Sequence, residues 1–116
     1  MKRESLKIKK TYSSSGIVYG KLWGGGKGTY PAQNLGPHNS KKKLLEEAKK
    51  LLDDNLLDDG MGFEQLLGAT LRITTLETVI INGKEYYRET SEIEVIGDTP
   101  HELTKEFLKT NEFLNI

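Results

Sequence analysis

The sequence predicts an α+β fold: an antiparallel sheet of four to five strands, built from two hairpins, with two helices packed on one face in the order β-β-(β)-α-β-β-α. Three observations carry this expectation. Apolar and polar residues alternate near the start of the chain and again between 69 and 98, as in half-buried strands. A leucine stripe at helical spacing follows residue 40, and Asn82-Gly83 supplies a strong hairpin-turn signal. At 116 residues the chain fits a single α+β domain spanning 1–116, long enough to bury one core.

Taken in order, "SLKIKKTY" (5–12) sets Leu6 and Ile8 against Lys7 and Lys9, the period-2 pattern of a strand. "SSSG" (13–16) reads as a turn and "IVYGKLW" (17–23) as a second strand, in which Gly20 marks a bulge or a close backbone approach. "TYPAQ" (29–33) reads as a short returning strand with Pro31 at an edge or an end, because proline cannot donate to a ladder. "NLGPHNS" (34–40) reads as a connection, and its last residue, Ser40, suits the N-cap of a helix over "KKKLLEEAKKLLDDN". Leu44, Leu45, Ala48, Leu51 and Leu52 form that helix's apolar stripe. Its three leading lysines oppose the helix dipole and leave a basic N-terminus.

"LLDDGMGFEQLLGA" (56–69) predicts an acidic turn followed by a short helical turn that uses Phe63, Leu66 and Leu67. From Ala69 to Asp98 the pattern is a long hairpin about Asn82-Gly83. A two-residue turn there sets Leu71 opposite Glu94 and Ile73 opposite Glu92. A register shifted by one pairs Leu71 with Ile93 or Val95 and, on the other face, Arg72 with Glu92, so a three-residue turn or a bulge is expected. Thr99-Pro100-His101-Glu102 resembles a capping box opening a helix over roughly 100–110 with Leu103 and Phe107 inward, and the end "NEFLNI" is expected to fray.

Composition narrows the function classes. There is no cysteine, which excludes disulfides and cysteine-based zinc sites. The longest apolar run, Val79-Ile80-Ile81, is far short of the roughly 20 residues that span a bilayer, and "MKRESLKIKK" lacks a signal-peptide apolar region. A cytoplasmic location and no membrane partner are the corresponding expectations. The net charge of zero hides an asymmetry: residues 1–50 hold twelve Lys/Arg against three Glu, a net +9, and the remainder balances it with a net −9. Neighbouring strands from the two halves that neutralise one another explain this most simply; a homo-oligomer joining basic to acidic halves is the alternative.

The stretch "KLWGGGKGTYP" (21–31) is the one candidate site. It fits no nucleotide-binding motif: the residue six before Lys27 is Lys21 where a phosphate loop needs glycine, Gly28 follows Lys27, and Thr29 stands where G-x-G-x-x-G needs its last glycine. What survives is a binding loop. Trp23 and Tyr30 would face each other as a stacking surface, Gly24, Gly25, Gly26 and Gly28 would expose backbone N–H groups, and Lys21 and Lys27 would meet an anion. Tyr19, Tyr86 and Tyr87 would extend this surface if the two hairpins adjoin.

No catalytic or metal site is expected, and no cofactor. "DNLLDDG" (54–60) places Leu57 and Leu66 where a calcium loop needs oxygen ligands. The expectation is therefore a small non-enzymatic binding module whose partner is a protein or nucleic acid. The alternatives are a homo-oligomeric accessory protein, or an enzyme or binder acting on a small anionic ligand, with His38 or Asp59 as acid or base.

Overall fold

Strand β1 (Lys9–Lys21) is the spine on which the sheet is assembled. The computed structural model describes residues 7–110, so Leu6 and the expected fraying of 111–116 lie outside the described residues. Along one side β1 pairs over its whole length with β4 (Gln65–Ile81), which pairs with β5 (Lys84–Gly97); along the other it pairs with β2 (Lys27–Pro31) and β3 (Leu35–His38). The result is a five-stranded antiparallel sheet in the order β2-β1-β4-β5, with β3 beside β2 on the β1 edge. Helices α1 (Lys41–Asp53) and α2 (His101–Thr110) complete the α+β fold in the expected element order.

The serine run is not a turn. β1 passes straight through it: Ser14 pairs with Ile73 and Gly16 with Leu71, and Ser14 is buried. Gly16 is what allows the close approach, since a Cβ there would lie 2.1 Å from the Thr70 carbonyl oxygen. Gly20 does what its position in a strand suggests, sitting at a register shift where a Cβ would lie 2.5 Å from the Gln65 carbonyl oxygen. Pro31 closes β2 at the sheet edge, as proline must. Residues 35–38, read from sequence as connection, instead form β3, where Pro37 is tolerated because the strand lies at an edge.

Helix α1 starts where Ser40 caps it, its hydroxyl accepting from the Lys43 N–H. Leu44, Ala48 and Leu52 are buried against Val18, Ala69, Leu71, Ile73 and Ile96, which form one face of the sheet. Full burial of a leucine such as Leu44 contributes roughly 2 kcal/mol, so this stripe, not intrinsic propensity, holds the helix. Just past the C-cap Asp54, Asn55 takes the left-handed conformation (φ 62°). The Asn55 side chain then clips the following loop, donating to the Phe63 carbonyl (2.7 Å) and accepting from the Leu66 N–H (2.6 Å). No helical turn forms there: Phe63 is buried as a loop residue and Leu66 and Leu67 already belong to β4.

The β4–β5 turn has two residues, Asn82 (φ 52°) and Gly83 (φ 77°), and Leu71 faces Glu94 while Ile73 faces Glu92. This corrects the shifted register expected from cross-strand chemistry. The missing partner came from outside the hairpin: Lys41 reaches down from α1 and pairs with both acids, at 2.5 Å to Glu92 and 2.8 Å to Glu94.

The second correction concerns α2. Thr70, which points away from Ala69 and Leu71 and their α1 partners, meets Thr104 of α2 at 3.1 Å. The two helices therefore lie on opposite faces, α1 over the main core and α2 over the other side, where Phe107 is buried. The physical reason is local: β5 ends at Gly97 and Thr99 donates to the Ile96 carbonyl, a turn that delivers the chain to the face α1 does not cover.

Beyond the core the three strands β1, β4 and β5 continue as an arm, and the molecule measures 69 × 32 × 19 Å. Part of the charge asymmetry is met inside the fold, by Lys10 with Glu77 and by Lys41 with Glu92 and Glu94, each joining the two halves of the chain.

Candidate functional site

The glycine-rich stretch forms the tip of the β1–β2 hairpin, at the opposite end of the sheet from Asn82-Gly83. Leu22 anchors it. Its side chain packs against the core and its backbone closes the tip, the Leu22 N–H donating to the Gly26 carbonyl (3.1 Å) and the Leu22 carbonyl accepting from Gly25 (3.2 Å). Gly24, Gly25 and Gly26 have φ of +90°, +107° and +80°, a region that L-residues rarely adopt, so the backbone path itself explains all three. Gly28 has a different reason, since a Cβ there would press on Leu22 at 3.2 Å.

Trp23 projects from this tip with 70% of its surface exposed. At the base of the tip, Lys21 and Lys27 are direct cross-strand partners, and both are exposed. Like charges placed opposite one another destabilise a strand pair, and among the described residues neither lysine has an acidic group within ion-pairing distance. Both lie on the sheet face that carries α2, where with Tyr19, Leu67, Asp98 and Thr99 they line a shallow open depression of ≈ 500 Å³.

Tyr30 does not join them. It pairs with Val18, not with Trp23, which puts it on the α1 side of the sheet and only 38% exposed. Tyr86 and Tyr87 lie at the far end, on the arm, where they line a separate depression of ≈ 190 Å³ with Ile8, Val79 and Arg88. Of the expected constellation, Lys21 and Lys27 pair across the hairpin and share the depression, and Trp23 is exposed on the same tip; Tyr30 and the distal tyrosines lie elsewhere. Asp98 and Thr99 complete the depression from 71 or more positions along the chain, a juxtaposition that only the β1–β4–β5 topology creates.

His38 belongs elsewhere. It pairs with Tyr12 on β1, nine residues from Lys21 and hence about 30 Å away along the strand. Its Nε2 lies 2.9 Å from the Glu47 carboxylate of α1, on the opposite face from the lysine pair. An anion held at the tip could not be processed by His38. Asp59 donates its N–H to the Pro31 carbonyl, and its neighbour Asp58 accepts from the Gly62 N–H (2.8 Å), so these acids organise the loop. Among the described residues no three His, Asp or Glu side chains gather as metal ligands, and no helix is long and apolar enough to cross a membrane.

Protein-family models, curated proteins and solved structures were compared with this chain, and none matched.

Proposed function

We propose that this chain is a non-enzymatic binding module that uses the β1–β2 tip to hold single-stranded nucleic acid, with Trp23 stacking on a base and Lys21 and Lys27 meeting the phosphates on either side. The observation that carries this reading is the exposure of Trp23, at 70%, on the same hairpin tip as a cross-strand lysine pair that has no acidic partner among the described residues. An indole left in water forgoes a large hydrophobic stabilisation, and it serves as an adaptable platform because every base has a π-face. The opposed lysines have the same logic: their repulsion is relieved when an anion lies between them. A nucleic-acid partner supplies both the flat apolar group and the repeated negative charge, whereas an acidic protein segment supplies only the charge.

Fluorescence anisotropy of a labelled single-stranded oligonucleotide tests the reading. Two phosphate contacts give a slope of log K against log salt of about −1.4 for a single strand, and Lys27→Glu should reduce both affinity and slope. Affinity independent of salt, or equal displacement by polyglutamate, would remove the nucleic-acid reading.

A further inference from the structure

Among the described residues, strand β5 forms the outer edge of the sheet, fourteen residues long, with no strand on its far side, no proline and no register shift against β4. Edges of this kind template further pairing, and proteins that remain monomeric normally blunt them. We propose that a second copy of this chain occupies the edge, antiparallel β5 on antiparallel β5, about a twofold axis at Ser91.

The charge sequence of β5 selects the register. A twofold axis normal to a continuous sheet pairs residues symmetrically about one central position. Centring on Tyr87 sets Glu85 against the partner's Glu89; centring on Arg88, Glu89 or Glu92 sets that residue against itself; centring on Tyr86 opposes Lys84 and Arg88, and on Ile93 Glu92 and Glu94. Each of these places like charges directly opposite, which is destabilising. Only Thr90 and Ser91 avoid it within this span, and Ser91 gives the better set: Arg88 faces the partner's Glu94, Lys84 faces the partner's Asp98, and Tyr87 faces the partner's Val95, all twice by symmetry. Tyr87 and Val95 are 72% and 46% exposed, and the pairing would cover both. The formal net charge of zero removes any long-range repulsion between copies. β1's exposed end is a poorer self-partner because it opens on two lysines, Lys9 and Lys10. The edge lies across the sheet from Trp23, so dimerisation and binding at the tip are separable.

The chain lacks cysteine, so Ser91→Cys introduces the only thiol and, at a twofold axis, sets it opposite its own copy within the Cα separation that a disulfide spans. Sedimentation velocity of the full chain should show a concentration-dependent dimer, and mild oxidation of Ser91→Cys should yield a disulfide-linked dimer much faster than Lys42→Cys on exposed α1. Ser91→Lys, checked for folding by circular dichroism, should weaken the dimer about tenfold. A monomer at all concentrations, or a dimer that survives Ser91→Lys with Ser91→Cys cross-linking no faster than Lys42→Cys, overturns the proposal.

Discussion

The Lys41 ammonium, in the first turn of α1, lies 2.8 Å from the Glu94 carboxylate near the end of β5, and the same ammonium also holds Glu92. This contact ties helix to sheet and accounts for a lysine that opposes the helix dipole. The side chains are about a third to a half exposed, so solvent screens the pair and Lys41→Met should cost only about 0.5–1 kcal/mol in urea denaturation. Hydrogen bonds to Glu92 and Glu94 raise the Lys41 pKa above its ordinary value, and the sign follows from that. The contribution is fully present below the ordinary lysine pKa and is lost as pH rises through the raised one, so wild type and Lys41→Met should converge only in strong alkali.

Gly16→Ala and Gly25→Ala separate two kinds of glycine. At Gly16 the new Cβ would meet the Thr70 carbonyl oxygen and must push β1 from β4, so the loss should exceed about 1 kcal/mol and expose the core. At Gly25 there is open space and only the backbone conformation resists, at about 1–2 kcal/mol, with the core intact. Near-ultraviolet circular dichroism after each substitution distinguishes the outcomes.

Ser14 is buried between β3 and β4, and its hydroxyl has no hydrogen-bond partner among the described residues. A buried unpaired hydroxyl is unfavourable, so Ser14→Ala should be neutral or stabilise the fold by up to about 1 kcal/mol. A thermal melt in which Ser14→Ala clearly destabilises the chain would contradict this.

Asn55→Ala removes both the donor to Phe63 and the acceptor for Leu66. Leaving these partly buried backbone groups unpaired should cost about 2–3 kcal/mol. Asn55→Gly keeps the left-handed residue available but not the clip, so denaturation should show it only partly recovering stability.

On the arm, Arg88 donates to Glu77 at 2.6 Å and Lys10 approaches the same carboxylate at 3.7 Å. The Arg88 hydrogen bond holds the Glu77 carboxyl below the usual carboxylate range. Its contribution is therefore present above the ordinary carboxylate pKa and lost as pH falls through the depressed one. The protection factors of the arm amides, measured against the intrinsic exchange rate at each pH, should fall in acid for the wild type, and much less so for Glu77→Gln.

The elements that were legible in the sequence are those stated by neighbours. Ser40 and the leucine stripe announce α1, and Asn82-Gly83 announces its turn, because capping, helical periodicity and turn chemistry act within a few residues. What misled was long-range. "SSSG" looks like a turn until Leu71 and Ile73 lie beside it, and the β5 acids look misplaced until Lys41 arrives. The candidate site divides the same way: Trp23 between Lys21 and Lys27 is a local feature, but Tyr30 turned away because its side is set by pairing with Val18, and Asp98 joined through the topology.

The intrinsic fluorescence of Trp23, the sole tryptophan, reports most directly on the claim that the β1–β2 tip is a contact surface. Wild-type emission should be that of a water-exposed indole, accessible to acrylamide, and titration with a single-stranded oligonucleotide at low salt should quench it, with salt reversing the change. Emission of a buried indole, or a signal unmoved by oligonucleotide at low salt, would contradict the account.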